Sequence, residues 1–432
     1  MAAQKKGHIQ IFAKNIRGTA NGGILEESKY TKNISGGRHI QNGLAGGINN
    51  DVNKGRHSVE VTRVKTIECL DDFEEGSAND GSDVNKKEGI LYGKTYRFKV
   101  KEYTNGEPRN QNSIRWAIEY IDPETGRKTE NILTNKDYRG IELNVSFTSH
   151  ECCGGNLEVR AYIENSEIEG KLPVFMHNRF RWFDRKVLED QVEQRRDKPY
   201  LADQNDTPTC GMAAILYILA KKDFEKYKNF VLMLHRTGIG ICNNYKIDVD
   251  ESKHLLEMNP VTNTKYPSNP NKMPYADWIP FSCMRDKENE LKDFDGENDE
   301  VFDGSTLPRE LSKLMRNVLN FTSVIDNTNV VFTKGALPWD GEDSSSREVA
   351  KMQELYLDGY TVCMLINANM LSNKKSGVFT PIEHWIVFEG VIGGTITPDV
   401  YDFEVFTWGE IRKVIINPSV FSTNFYGYVY GK

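Results

Sequence analysis

Four residue types in the second half of this chain are spaced so that together they could attack a carbonyl group. Cys210 opens an apolar, Ala-rich run, Gly211-Met212-Ala213-Ala214-Ile215-Leu216-Tyr217-Ile218-Leu219, preceded by Pro208 and Thr209. A thiol at a helix N-terminus has its pKa lowered by the helix dipole, and the thiolate is the nucleophile. Thr209 is placed as the N-cap, and Gly211 with Ala213 and Ala214 allows close backbone approach. Gln204, six residues before Cys210, is within reach to donate to an oxyanion beside the Cys210 N–H, with Asn205 as a neighbour that could substitute. Far downstream, His384 opens the apolar strand Trp385-Ile386-Val387-Phe388 and is the candidate base. His235 lies in the helical run Val231–Leu234 and reads as a core residue, while His254 reads as solvated. The next strand, Val400–Phe406, supplies Asp402 as the group that orients the imidazole and stabilises its charged form. Glu404 shares a face with Asp402, and Asp399 is a third choice. Preferring Asp402 assumes a hairpin through Ile392-Gly393-Gly394 that lays the start of the second strand beside His384.

Each member has a blander reading. A cysteine in an apolar run is often a buried structural thiol, and a histidine at a strand start is often a surface residue. The order and spacing of the set carry the chemistry.

The elements that must position these residues follow from periodicity. Helices are expected at 210–222, 224–235, 306–319 and 346–358, and strands at 360–367, 384–391 and 400–407. A helical lobe followed by a sheet carrying the histidine is an α+β order. Residues 243–305 are polar and rich in Pro and Asn, and read as substrate-shaping loops or an insertion. Upstream, residues 89–170 alternate in short runs: 96–100, 114–120 with Ile114, Trp116, Ile118 and Tyr120 on one face, 141–145 and 157–163. Half-buried strands at that spacing predict an all-β sandwich of immunoglobulin-like type, with Trp116 in its core. The domains expected are a Gly/Asn-rich leader with one or two strands (1–60), a β-sandwich module (61–170), a linker with a helix (171–200) and a hydrolase domain (201–432). In the linker, Phe180-Arg181-Trp182-Phe183 reads as an aromatic anchor before the helical stretch 188–196.

Composition narrows the partners. The chain has 432 residues, 38% hydrophobic and 27% charged, with a net charge of −7 and no basic stripe. Nucleic acid and anionic membrane surfaces are therefore unexpected partners. The seven cysteines are scattered, without a paired motif, which argues against a disulfide framework and for synthesis in the cytoplasm. Adjacent Cys152 and Cys153 near His150 read as ordinary small residues rather than metal ligands. The acidic stretch 293–299 has its glycine at the wrong offset for a calcium loop. No metal or organic cofactor is expected. There is no secretory signal and no membrane-spanning run, so secretion, if it occurs, would not use a cleavable signal peptide.

The Gln204-x5-Cys210-Gly211 and His384-Trp385-Ile386-Val387 segments resemble papain-like cysteine peptidases, more closely the bacteriocin-processing branch than the plant or lysosomal enzymes. The resemblance covers about 204–220 and 384–408. It implies a cysteine peptidase or amidase in which Cys210 attacks an amide, His384 transfers protons and Asp402 orients His384. It departs in having no aromatic residue after the cysteine and a long Cys–His interval. The segments 8–23 and 91–96 are similar to leader modules of polymorphic toxins tied to type VI secretion in Bacteroidota. That likeness implies a toxin or effector with a peptide or peptidoglycan substrate, secretion-machinery contacts and an immunity partner. The alternatives are a cysteine acyltransferase, or a structural or binding component of a secretion apparatus with an inactive hydrolase-like domain.

Overall fold

The chain folds as an α+β protein of antiparallel sheets and helices. The computed structural model describes residues 61–133, 138–205, 207–251, 253–261, 273–288, 306–329, 342–376, 384–392 and 399–432. The expected leader strands, the 293–299 loop and the Ile392-Gly393-Gly394 turn beyond Ile392 lie outside these residues.

In the first part, strands β1 (Val64–Cys69), β4 (Thr95–Tyr103) and β7 (Glu142–Ser146) form one sheet. Strands β6 (Lys128–Leu133), β5 (Arg115–Ile121), β8 (Asn156–Tyr162) and β9 (Gly170–Phe175) form a second, and β2 (Glu74–Ser77) with β3 (Lys86–Gly89) makes a hairpin. Alternation decides which side chains meet between the sheets. On β4, Tyr96, Phe98 and Val100 are buried while Thr95 and Arg97 are exposed. They share one core with Trp116, Leu143, Val145, Val159 and Val174. The indole of Trp116 donates to the Gly140 carbonyl at 3.0 Å, which satisfies its polar atom in that core. Strand β9 belongs to this module, so its boundary falls beyond residue 170.

The second part is built on a six-stranded antiparallel sheet. Its helices are α1 (Arg185–Asp197), α2 (Cys210–Lys222) and α3 (Phe224–Thr237), then α4 (Lys253–Leu256) and α5 (Tyr275–Glu288), and finally α6 (Pro308–Asn317), α7 (Glu342–Leu357) and α8 (Pro418–Asn424). Between α3 and α4, β10 (Ile239–Cys242) and β11 (Tyr245–Asp248) pair as a small hairpin. The main strands are β12 (Val324–Thr328), β13 (Thr361–Ile366), β14 (His384–Val391), β15 (Tyr401–Thr407), β16 (Glu410–Ile416) and β17 (Phe425–Gly431), in the spatial order β12-β17-β13-β14-β15-β16. One face, with Cys363, Leu365, Trp385, Val387 and Phe406, packs on α2, α3, α5 and α6. The other, with Met364, Ile386, Phe388, Phe403 and Val405, packs on α7 and α8. β14 lies between both layers, which is why its residues read as a continuous apolar run.

The stretch 243–305, read as substrate-shaping loops or an insertion, contains α5 at the centre of the helical layer. Trp278, Ile279, Phe281 and Met284 are fully buried there. Periodicity missed it because Asp277, Ser282, Arg285 and Glu288 are buried as well. The junction with the first part is capped by Asp184, which accepts from the N–H groups of Lys186 and Val187 in α1 and from Ser77 and Gly81 of the first part. Residues 61–432 form one compact unit. No helix among the described residues is long and apolar enough to cross a membrane.

Candidate active site

Helix α2 is buried from Cys210 to Ala220 and ends on Lys221 and Lys222. Its contacts fix its direction against β14. At its start, the Trp385 backbone N–H lies near enough to the Cys210 sulfur to favour its thiolate. Two turns on, the Tyr217 hydroxyl donates to Glu389 Oε1 at 2.5 Å and its ring stacks on Phe406 at 3.9 Å between centroids. Lys221 closes the same cluster by pairing with Glu389. Seven helical residues rise about 10 Å and four strand residues about 13 Å, so helix and strand run side by side in the same direction. This brings the residue after His384 to the start of α2.

Gly211 is required by packing. A Cβ there would sit 2.5 Å from Thr306 Cγ2. The Thr306 carbonyl in turn accepts from the Trp385 indole at 2.7 Å. Thr306 is thus wedged between the first turn of α2 and the start of β14.

The electrostatics overturn one expectation. Cys210 is only 5% exposed, and burial pushes its thiol above the ordinary value, against the opposing effects of the Trp385 and Gly211 N–H groups and the Arg285 charge. The helix start does supply N–H donors, but loss of water outweighs them. Thr209 does not cap the helix with its side chain; its hydroxyl bonds to Thr207 Oγ1 at 2.7 Å.

His384 is 3% exposed, and burial pushes its imidazole down to about 3. Its Nε2 bonds to Thr407 Oγ1 at 2.7 Å, and its ring stacks on Trp408 at 4.3 Å with planes 11° apart. Among the described residues no hydrogen bond joins this ring to the Cys210 sulfur; Thr306, bonded by the Trp385 indole and packed on Gly211, makes the contact between the two segments.

Asp402 is not beside His384. The strands pair antiparallel, Val387 facing Phe406 and Val391 facing Phe403, so the end of β15, not its start, lies next to the histidine. Asp402 sits at the far end of the strand and pairs with Lys413 at 3.0 Å. Glu404 lies opposite Gly390 and Lys413, and Asp399 precedes the strand on the same distant side. The position expected for the carboxylate is taken by Thr407. A hydroxyl holds the ring in place but brings no charge to stabilise an imidazolium. The signal that could have found it is the Thr407-Trp408-Gly409 sequence. Trp408 (φ 40°) and Gly409 (φ 73°) are consecutive left-handed residues of a tight turn between β15 and β16. Trp408 is 38% exposed and covers the imidazole from the solvent side.

Gln204 is buried in the loop that leads into α2. Its amide donates to the Thr207 carbonyl at 3.2 Å, and the Thr207 hydroxyl returns a bond to the Gln204 carbonyl at 2.6 Å. One amide hydrogen is spent inside the loop; the group carries a second. Asn205 is left-handed (φ 50°) and its N–H donates to Asp203 Oδ1 at 2.9 Å, so it serves the turn.

The remaining candidates are structural. His235 is fully buried with Nε2 on the Phe183 carbonyl at 2.9 Å. His254 lies 3.6 Å from Asp286. Burial pushes the Cys152 and Cys153 thiols up to about 11 and about 12, and none of the seven cysteines is in a disulfide. Among the described residues no group of three His, Cys, Asp or Glu side chains could hold a metal ion. No protein-family profile, curated protein or solved structure matches the chain.

Proposed function

We propose that this protein is a cysteine hydrolase, a peptidase or amidase, whose second part has a papain-like arrangement. The observation that carries the reading is the meeting of two distant segments: the indole of Trp385, the residue after His384, bonds the Thr306 carbonyl, and Thr306 packs on Gly211, the residue after Cys210. In this mechanism His384 takes the thiol proton, Cys210 attacks the amide carbonyl, and the Cys210 N–H with Gln204 stabilises the oxyanion. The imidazolium then protonates the leaving amine, and water, deprotonated by His384, releases the acyl group. Thr407 holds the ring in place of the carboxylate. Because Nε2 is engaged by Thr407, Nδ1 is the nitrogen left to meet the sulfur.

The first part, two facing antiparallel sheets around Trp116, supports an immunoglobulin-like delivery or docking module. Joined to a hydrolase it fits a secreted antibacterial effector acting on peptidoglycan stem peptides or on proteins. Incubating wild type and Cys210→Ala with purified peptidoglycan and with denatured protein tests this. Release of new amines by the wild type alone supports the reading; equal release by the variant, or none by either, refutes it.

A second reading, a binding protein with an inactive hydrolase-like domain, is favoured by one observation: thiol and imidazole are both buried in their neutral forms. It requires that Cys210 never becomes acylated.

A further inference from the structure

A buried ion pair lies behind the loop that carries Gln204. Arg195 on α1 meets Asp277 on α5 with Nη2 and Oδ2 2.5 Å apart, and both side chains are sealed from solvent. Each partner also grips loop backbone. Arg195 donates to the Leu201 carbonyl at 3.3 Å, and Asp277 accepts from the Asp203 N–H at 3.1 Å. Arg195 further donates to the Gln191 carbonyl of its own helix at 2.6 Å.

Stability alone is a weak account of such a pair, because well-packed apolar residues often serve as well or better. The network is also incomplete. Asp277 Oδ1, Arg195 Nε and the Tyr227 hydroxyl are buried without a hydrogen-bond partner. A costly, half-satisfied network needs another reason to exist. Apolar side chains could join α1 to α5, but they could not hold the polar backbone of Leu201 and Asp203. The held segment is clamped from its other side too. Asp203 packs against Gly409, where a Cβ would come within 3.2 Å of it. Gly409 belongs to the same turn as Thr407, the partner of His384.

We propose that Arg195 and Asp277 are positioning residues that hold Leu201–Asp203 so that Gln204 stays in register with Cys210 and with the turn that seats His384. This inference rests on the hydrolase reading and assigns the pair to the oxyanion side of the site, not to the thiol.

Turnover of p-nitrophenyl acetate and alkylation of Cys210 by iodoacetamide separate the two sides, since only turnover passes through an oxyanion. In folded Asp277→Ala, kcat should fall about a hundredfold, the scale of losing one oxyanion donor, while Cys210 alkylation stays within about threefold of wild type. Adding Gln204→Ala should cost no more than Gln204→Ala alone, because both changes act through one group. Arg195→Met with Asp277→Leu replaces the pair by apolar residues, keeps the fold measurable, and should show the same loss of kcat. Wild-type kcat in either variant, or losses that multiply with that of Gln204→Ala, overturns the positioning role alone. Wild-type turnover by Cys210→Ala overturns the hydrolase reading and this inference with it.

Discussion

A neutral thiol and a neutral imidazole are the resting states that burial imposes on Cys210 and His384. Proton transfer between them must therefore wait for substrate, or for the exposed Trp408 ring to swing away and admit water. Alkylation of Cys210 should then accelerate with pH through and beyond the ordinary thiol value of 9.0, about tenfold per pH unit below the thiol's own pKa. A plateau between about pH 6 and 8 would instead report a thiolate–imidazolium pair and contradict the burial argument. Thr407→Val removes the hydroxyl while keeping the shape. It should cost about 1–3 kcal/mol of stability by orphaning Nε2, and kcat should drop at least about tenfold with KM little changed. Urea denaturation and steady-state kinetics check the two parts. Cys210 and His384 were legible because each opens a strongly apolar run. Asp402 was misplaced because antiparallel pairing lays the end, not the start, of β15 beside the start of β14.

Elements carry the precision of the site. Helix α2 and strand β14 stood out in the sequence because both are buried on all sides, which leaves an unbroken apolar signature. Helix α5 was hidden because its charged residues are buried and partnered, a state that composition alone does not reveal. The consequence of the close α2–β14 contact is measurable at Gly211. Gly211→Ala should destabilise the fold by about 1–3 kcal/mol, the usual cost of overpacking, because its methyl meets Thr306. Thr306→Ala added to it should recover part of that loss in chemical denaturation. A Gly211→Ala protein as stable as wild type would show that Thr306 is not wedged against the nucleophile's helix.

Among the described residues, burial pushes three imidazoles down: His177 to about 4, and His235 and His384 each to about 3. Burial is the leading cause for each. In the unfolded chain each binds a proton below its ordinary value of 6.5. Their contribution to stability is full above that pH and is lost as pH falls towards 4 and then 3. Asp277, which burial raises to about 6, acts with the opposite sign, since its protonation on acidification favours the fold. The three histidines outnumber it, so the melting temperature should fall steadily from pH 6.5 to 4.5. A melting temperature unchanged over that range would contradict the buried neutral assignment. The antiparallel strands of the first part were legible from alternation and turn residues. Its last strand and the strands after Thr407 were not, because β17 is reached only after a short helix and pairs with β12 and β13, far away in sequence.

The central claim, that Cys210 is a nucleophile served by His384, is tested most directly by intact mass and peptide mapping after a brief exposure to p-nitrophenyl acetate. One acetyl group on Cys210 in the wild type, absent from Cys210→Ala and strongly reduced in His384→Ala, is the predicted result. An unmodified Cys210, or equal acetylation of Cys210 in His384→Ala, would contradict it.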